Sequence, residues 1–380
     1  MRSSSSVPAS NNHLRLAVAG SRKTQGIVDA CASAAKEENI LVLTYTTANQ
    51  AELRARLATF AGDRPNIEVA GWFSFLIGNF VRPFLPFAFP GKHVRGFDYQ
   101  SPPQMYAGVG EWSRYFNGED EVRKVHLPQL AVRVEEASNG AGIRRLERIY
   151  DHIFIDEVQD LCGYDLEVLN LLMQSKIPIE MVGDIRQAIL ATNQREAKNK
   201  KYMYMGVWEW FRAAEKKKRL VISQRTQTWR CGPQIAALAD SMFDASWGFD
   251  ATESLNDTVT DHDGVFVLKP GDVEAYVARY APLVLRHSTA SAKHFDHLEP
   301  MNFGDSKGLG RERVLILPTG AIEAFIKDGK ALTEPQAARF YVAVTRAQQS
   351  VAIAMSDAGR GLYSVWDHDT DSATDEIVGD

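Results

Sequence analysis

Short apolar runs alternate with stretches in which apolar residues recur every three or four positions, and this alternation organises most of the chain. Leu14–Gly20 (LRLAVAG) reads as a strand, followed by a small-residue turn and a helical pattern through QGIVDACASAAK. Ile40–Tyr45 (ILVLTY) predicts a second strand and Asn49–Phe60 a second helix. From residue 76 to about 145 the strand signal fades into a Phe/Pro-rich piece (VRPFLPFAFPGKH) and scattered aromatics. That segment reads as an insertion, mostly helix and loop. Strands resume at His152–Asp156 and Ile179–Gly183. A second series opens at Leu220–Ser223 and continues through Val265–Leu268, Val314–Leu317 and Val351–Ala354. Strand–helix alternation through two halves predicts an α/β fold of two parallel-sheet lobes.

These patterns divide the chain into residues 14–75 plus 146–215 as a first lobe and 216–366 as a second, with 76–145 as the insertion. Residues 1–13 are polar and Ser-rich without an apolar core, so they do not read as a secretory signal. Residues 367–380 read as an acidic, disordered tail. No fixed-period repeat occurs, and no apolar run approaches the length of a membrane span.

At 380 residues there is chain enough for two packed domains. The net charge of −5 provides no global basic field, so any nucleic-acid surface has to be local. The three cysteines (Cys31, Cys162 and Cys231) are odd in number and far apart, which fits a reducing cytoplasm and neither a disulfide framework nor a zinc site.

The chemistry concentrates in HIFIDEVQD, residues 152–160. An apolar β-branched run delivers Asp156 and Glu157 to a strand end, where α/β sheets place ligands. Adjacent acids suit Mg²⁺-dependent phosphoryl transfer, one holding the metal and the next orienting water. The phosphate cradle they need is in Ala17-x-x-Gly20-Ser21-Arg22-Lys23-Thr24. Loop N–H groups there would wrap phosphate, Lys23 would reach its oxygens and the Thr24 hydroxyl would bind Mg²⁺. Arg22 stands where such loops usually carry glycine, and a side chain there either constrains the turn or lies outward and adds positive charge.

Taken in order, the motifs resemble those of superfamily 1 helicases of the UvrD/Rep/PcrA type from about residue 14 to 356. AVAGSRKT resembles the first motif, LVLTYTTANQAELRARL the following DNA-facing segment, and DEVQD the second motif. GWFSF stands where the family has a TxHSF-like segment, with Phe73 replacing the His. GDIRQAI, TWRCGPQI, NFGDSKGLGRERVLI and YVAVTRAQQSVAI resemble the later motifs in turn. The resemblance implies two RecA-like P-loop lobes with ATP between them and a small helical insertion in the first lobe. It also implies ATP and Mg²⁺ as cofactors and single-stranded DNA as partner. By the same resemblance Glu157, Asp156, Gln187, Arg230 and Arg346 are catalytic and Thr24 and Asp156 bind metal. Ala17, Gly20, Ser21, Arg22, Lys23, Thr24, Gln25 and Gly308 bind nucleotide. Thr44, Phe75, Trp208 and Lys307 contact nucleic acid, with Trp210 and the basic stretch Lys198–Lys201 as further candidates.

Three departures mark a trimmed motor. Asn302, Gly304 and Gly310 replace the Thr, His and Glu of the family's fifth motif. No adenine-recognition segment precedes the phosphate loop, and the chain between Arg230 and Lys307 is too short for the family's large accessory subdomain. Truncated proteins of this kind resemble the helicase-like subunits of anti-phage systems that partner a nuclease. Arg22 and the altered fifth motif give a second expectation, a nucleotide-gated regulatory or DNA-binding subunit with weak or no ATPase activity that partners a nuclease in anti-phage defence. A metabolic P-loop kinase would have no need for GDIRQ and YVAVTRA together.

Overall fold

The computed structural model describes residues 10–104, 106–191, 197–357 and 361–368. Most of the Ser-rich start and the acidic tail, on which two of the expectations fall, lie outside the described residues. The first sheet has six strands: His13–Ala17 (β1), Ile40–Thr44 (β2), Ile67–Gly71 (β3), His152–Ile155 (β4), Ile179–Gly183 (β5) and Val221–Arg225 (β6). Their spatial order is β3-β2-β4-β5-β1-β6. The β3–β2, β2–β4, β4–β5 and β5–β1 pairings are parallel, with Val42 opposite Phe154 and Ile153 opposite Ile179.

All five residues of β2 are buried, as expected of a strand covered on both faces. Helices Lys23–Ser33 (α1) and Thr47–Phe60 (α2) cover one face and pack Ile27, Val28, Cys31, Leu53 and Leu57 against Val42, Phe154 and Val182. Thr46 caps α2 by accepting a hydrogen bond from the Asn49 N–H at 3.1 Å.

The second sheet also has six strands, all paired in parallel: Gly264–Leu268 (β7), Leu283–Arg286 (β8), Met301–Asn302 (β9), Arg311–Leu317 (β10), Ala347–Ala354 (β11) and Ser364–Trp366 (β12). Their order is β9-β8-β10-β11-β7-β12. Helices Pro233–Asp240 (α3) and Glu334–Val344 (α4) cover one face, where Ile235, Leu238, Phe340 and Tyr341 meet Val265, Ile316 and Ile353. On the other face, Val273 and Tyr276 of the helix Val273–Tyr280 pack with Leu315, Ala352 and Trp366. The fold is therefore α/β with two parallel, RecA-like sheets.

Contacts group residues 23–185 and 190–223 with the N-terminal stretch up to Leu16, and residues 17–22 and 186–189 with 224–380. Leu220–Ser223, expected to open the second series, instead belongs to the edge strand of the first sheet, beside β1. The Val221 N–H donates to the Asn12 carbonyl at 2.9 Å. The insertion is helical at Arg82–Ala88, Leu127–Ala137 and Ala141–Leu146, and it also carries a short parallel pair, Gly96–Asp98 with Glu121–Arg123.

Candidate nucleotide site

β4 ends at Ile155, and its direction passes into Asp156, whose N–H still donates to the Leu43 carbonyl of β2 at 2.8 Å. The chain then turns sharply, with Glu157 in the left-handed region at φ 56°. A non-glycine residue takes that conformation at a cost, and such strain gathers at functional turns. The turn aims both carboxylates at the start of α1. Lys23 Nζ lies 2.8 Å from Glu157 Oε1, and the Thr24 hydroxyl donates to Asp156 Oδ2 at 3.2 Å. Gln159 holds the group from behind: its Nε2 donates to Glu157 Oε2, and its Oε1 accepts from the Asp184 N–H at 3.1 Å. A Cβ on Gly183 would come within 2.5 Å of Gln159 Oε1, so β5 has to end in glycine for this side chain to lie there.

Burial is the largest influence on Asp156; with the neighbouring Glu157 charge it pushes the carboxyl up to about 7, against the pull of Lys23. Burial likewise opposes the charged form of Lys23, but the carboxylates of Glu157, Asp156 and Asp184 outweigh it and raise its pKa. An acid held this far above its ordinary range is short of positive charge. A hydroxyl and a carboxylate 3.2 Å apart are hard oxygen donors of the kind Mg²⁺ takes. Among the described residues no cluster of three or more His, Cys, Asp or Glu could hold a metal unaided. Mg²⁺ needs none, because it is commonly held by one or two protein oxygens plus phosphate and water. These residues fit Mg²⁺ with a triphosphate.

Residues 17–22 make their contacts with the second unit. The Ala19 N–H donates to Tyr341 Oη at 3.2 Å, and the Ala19 carbonyl accepts from the Thr228 hydroxyl at 2.7 Å. Gly20 has φ +74°, and a Cβ there would lie 2.4 Å from the Arg230 Cβ and 2.6 Å from Thr228 Oγ1. Only glycine fits. Arg22 also has a left-handed backbone, φ 58°, and so keeps the conformation a glycine would take easily. Its guanidinium lies 4.9 Å from the ring centre of Trp229, over which Arg225 also lies at 5.2 Å. The Ser21 hydroxyl is buried without a hydrogen-bond partner, an orphan of the kind a phosphate oxygen would satisfy.

Arg230 is half-buried and donates through Nη1 to the Thr345 carbonyl at 3.3 Å. Arg346 is 1 % exposed. Its Nε donates to the Val342 carbonyl at 2.8 Å, Nη1 to the Leu309 carbonyl at 3.1 Å and Nη2 to the Thr345 hydroxyl at 3.2 Å. Both arginines therefore gather at the C-terminal end of α4, where free carbonyls concentrate negative charge. Gln187 is buried. Gln25 bonds Asp29 at 2.8 Å, and Gly308 has φ +92° with open space where a Cβ would stand. Ala17 is buried at the end of β1.

Two of the expected nucleic-acid contacts, Phe75 and Trp208, are buried. Phe75 is 1 % exposed and packs between Trp72 and Phe80, and Trp208 is 4 % exposed on the apolar face of its helix. The Arg212 guanidinium lies 5.9 Å over the Trp208 ring. Thr44 is buried with its hydroxyl unpartnered, Lys307 is half-buried and Trp210 is half-buried against Phe211. Of the basic stretch, Lys198 pairs with Glu167 at 3.5 Å and Lys201 lies 4.7 Å over Tyr202.

Pattern reading passed over Gln159, Asp184, Thr228, Trp229 and Tyr341. All five stand inside quoted motifs (DEVQD, GDIRQAI, TWRCGPQI and YVAVTRAQQSVAI), and it is their contacts that single them out.

Residues 102–205 match the family model described as the UvrD/REP helicase N-terminal domain. That stretch contains the Asp156–Asp160 turn and Gln187 and stops short of the loop at 17–24. No curated protein matches the chain. Among solved structures it is similar to the arterivirus nonstructural protein 10 helicase at TM-score 0.47 and 15 % identity, over 90 % of this chain and 59 % of that one. The same helicase in complex with DNA matches at TM-score 0.44 and 16 % identity, over 91 % and 61 %. The chain spans about three-fifths of the length of those helicase chains. Over residues 102–205, then, the chain resembles the N-terminal domain of the UvrD/REP helicases, the family to which the order of its motifs points.

Proposed function

We propose that this chain is an ATP-dependent translocase or helicase of the UvrD-like class acting on single-stranded DNA. The observation that carries the reading is the joining of Lys23 to Glu157 and of Thr24 to Asp156 at the end of β4. In this reading Lys23 binds phosphate oxygens and leaves Glu157 when it does so. Thr24 and Asp156 hold Mg²⁺, which supplies charge neutralisation at the phosphates when bound. Glu157, released from Lys23 and still oriented by Gln159, accepts the proton of the attacking water. Arg230 stabilises charge on the transferring phosphoryl group. Arg346, saturated by carbonyls, acts as a positioning residue for the segment holding Lys307 and Gly308.

The nucleic-acid surface moves to a run of rings in the first unit. Tyr45 and Phe73 are 5.4 Å apart, Phe73 and Phe97 5.9 Å, and Phe97 and Tyr99 4.2 Å, with Lys124 lying 5.3 Å over Phe73. Rings joined by cations suit unpaired bases and their phosphates. ATP hydrolysis measured with and without oligo-deoxythymidine tests the proposal. Roughly tenfold or greater stimulation is expected, weakened by Phe97→Ala and Tyr99→Ala. Equal turnover with and without DNA would refute it.

The left-handed backbone of Arg22 favours one competing reading, a nucleotide-gated subunit with little hydrolysis. Its signature is nucleotide binding without turnover under either condition.

A further inference from the structure

The second unit contains a cavity of about 260 Å³ at the start of α3, bounded by Pro233, Ile235, Asn256, Val259, Gly264 and Gln349. It is smaller than the pockets of about 300–1,000 Å³ that take drug-sized ligands, and it has room for one large side chain. Three observations point to an occupant. Gln349 is 5 % exposed, and among the described residues its side-chain amide has no hydrogen-bond partner, although it borders the cavity. An amide that opens on such a hollow offers donors and an acceptor to whatever enters it. At the rim, Val259 is 85 % exposed, a large apolar side chain held out beside an apolar hollow. The rim is also acidic: residues 250–263 carry Asp250, Glu253, Asp257, Asp261 and Asp263, all exposed, and no lysine or arginine. Asp261 is paired with Arg313 at 3.0 Å, Asp263 accepts from the Thr260 N–H at 2.7 Å and Glu253 accepts from Gln227 Nε2 at 3.3 Å, which leaves Asp257, in the cavity wall, to face solvent-borne charge.

We infer that this pocket seats a basic peptide segment of a partner protein, with one apolar side chain as its anchor. The anchor fills the hollow between Ile235 and Val259, the segment's backbone pairs with the Gln349 amide, and a flanking lysine or arginine side chain meets Asp257. A nucleic-acid strand is disfavoured here, because the same carboxylates repel phosphate. The inference uses residues other than those assigned to nucleotide or DNA. It does touch the arginine machinery, since Asn256 in the pocket wall donates through Nδ2 to the carbonyls of Arg230 at 2.8 Å and Gln348 at 3.1 Å.

Fluorescence anisotropy on the full chain tests it. The probe is a fluorescein-labelled octapeptide of alternating arginine and phenylalanine. The controls are octapeptides alternating arginine with serine and glutamate with phenylalanine. The arginine–phenylalanine peptide is expected to bind roughly tenfold or more tightly than either control. Val259→Arg and Asp257→Lys, both at exposed positions and checked for unchanged melting temperature, should each weaken it by a similar factor. Glu157→Gln should leave it unchanged, which separates this inference from the nucleotide reading. Affinity unaffected by Val259→Arg and Asp257→Lys, equal binding of the glutamate peptide, or displacement by oligo-deoxythymidine would each overturn it. So would sedimentation showing that the face is covered by a second copy of the chain.

Discussion

Lys23 and Glu157 neutralise each other at 2.8 Å, so the residue that should bind phosphate and the one that should activate water start out engaged together. A partly buried ion pair is costly to break when its partners are left unpaired, and triphosphate offers Lys23 a replacement. Glu157→Gln removes the competing charge. Asp156 carries a second consequence. Its folded pKa is raised to about 7 by burial, above the unfolded value of about 3.9, so its protonated form favours the fold. That contribution is complete below about pH 4 and is lost as pH rises through about 7. Metal-free thermal denaturation of Asp156→Asn should therefore show the variant gaining on the parent from about pH 5 to about pH 8. A constant difference across that range would contradict the burial argument. At Arg22 the left-handed backbone costs about 1–2 kcal/mol, while stacking on Trp229 returns about 0.5–1 kcal/mol. Arg22→Gly should consequently leave stability within about 1 kcal/mol of the parent, readable by calorimetry.

At the scale of elements, the turn after β1 and the end of α4 determine what the arginines can do. Gly20→Ala combines a positive φ with a Cβ 2.4 Å from that of Arg230, and is expected to cost about 2 kcal/mol or more in denaturant unfolding. Arg346→Ala and Arg230→Ala should behave differently. Loss of Arg346 strips the Val342 and Leu309 carbonyls of a buried donor and should lower stability by about 3 kcal/mol. Loss of Arg230, which is half-buried and makes one bond to a carbonyl, should mainly lower kcat, by about 10³-fold.

The central strands were legible because β2, β4 and β5 are apolar runs between turns, and DEVQD was legible because two acids follow one of them. Ile67–Gly71 was missed because only Val69 and Gly71 are buried, too few apolar positions to show a period. Leu220–Ser223 has a clear strand pattern, but sequence alone does not say which sheet claims it. The burial of Phe75 and Trp208 was not legible, because an aromatic ring looks the same in a sequence whether it faces a core or a base.

For the molecule as a whole, the acids and the lysine gather in one unit while Arg230, Arg346 and the Arg22–Trp229 stack belong to the other by contact. In the proposed function Glu157 is both the base for hydrolysis and the competitor for Lys23. Single-turnover hydrolysis of Mg-ATP by Glu157→Gln, measured beside its equilibrium nucleotide affinity, tests this most directly. The account predicts turnover lower by about 10²–10³-fold with affinity equal to or tighter than the parent's. Parent-like turnover, or a loss of binding that matches the loss of rate, would contradict it.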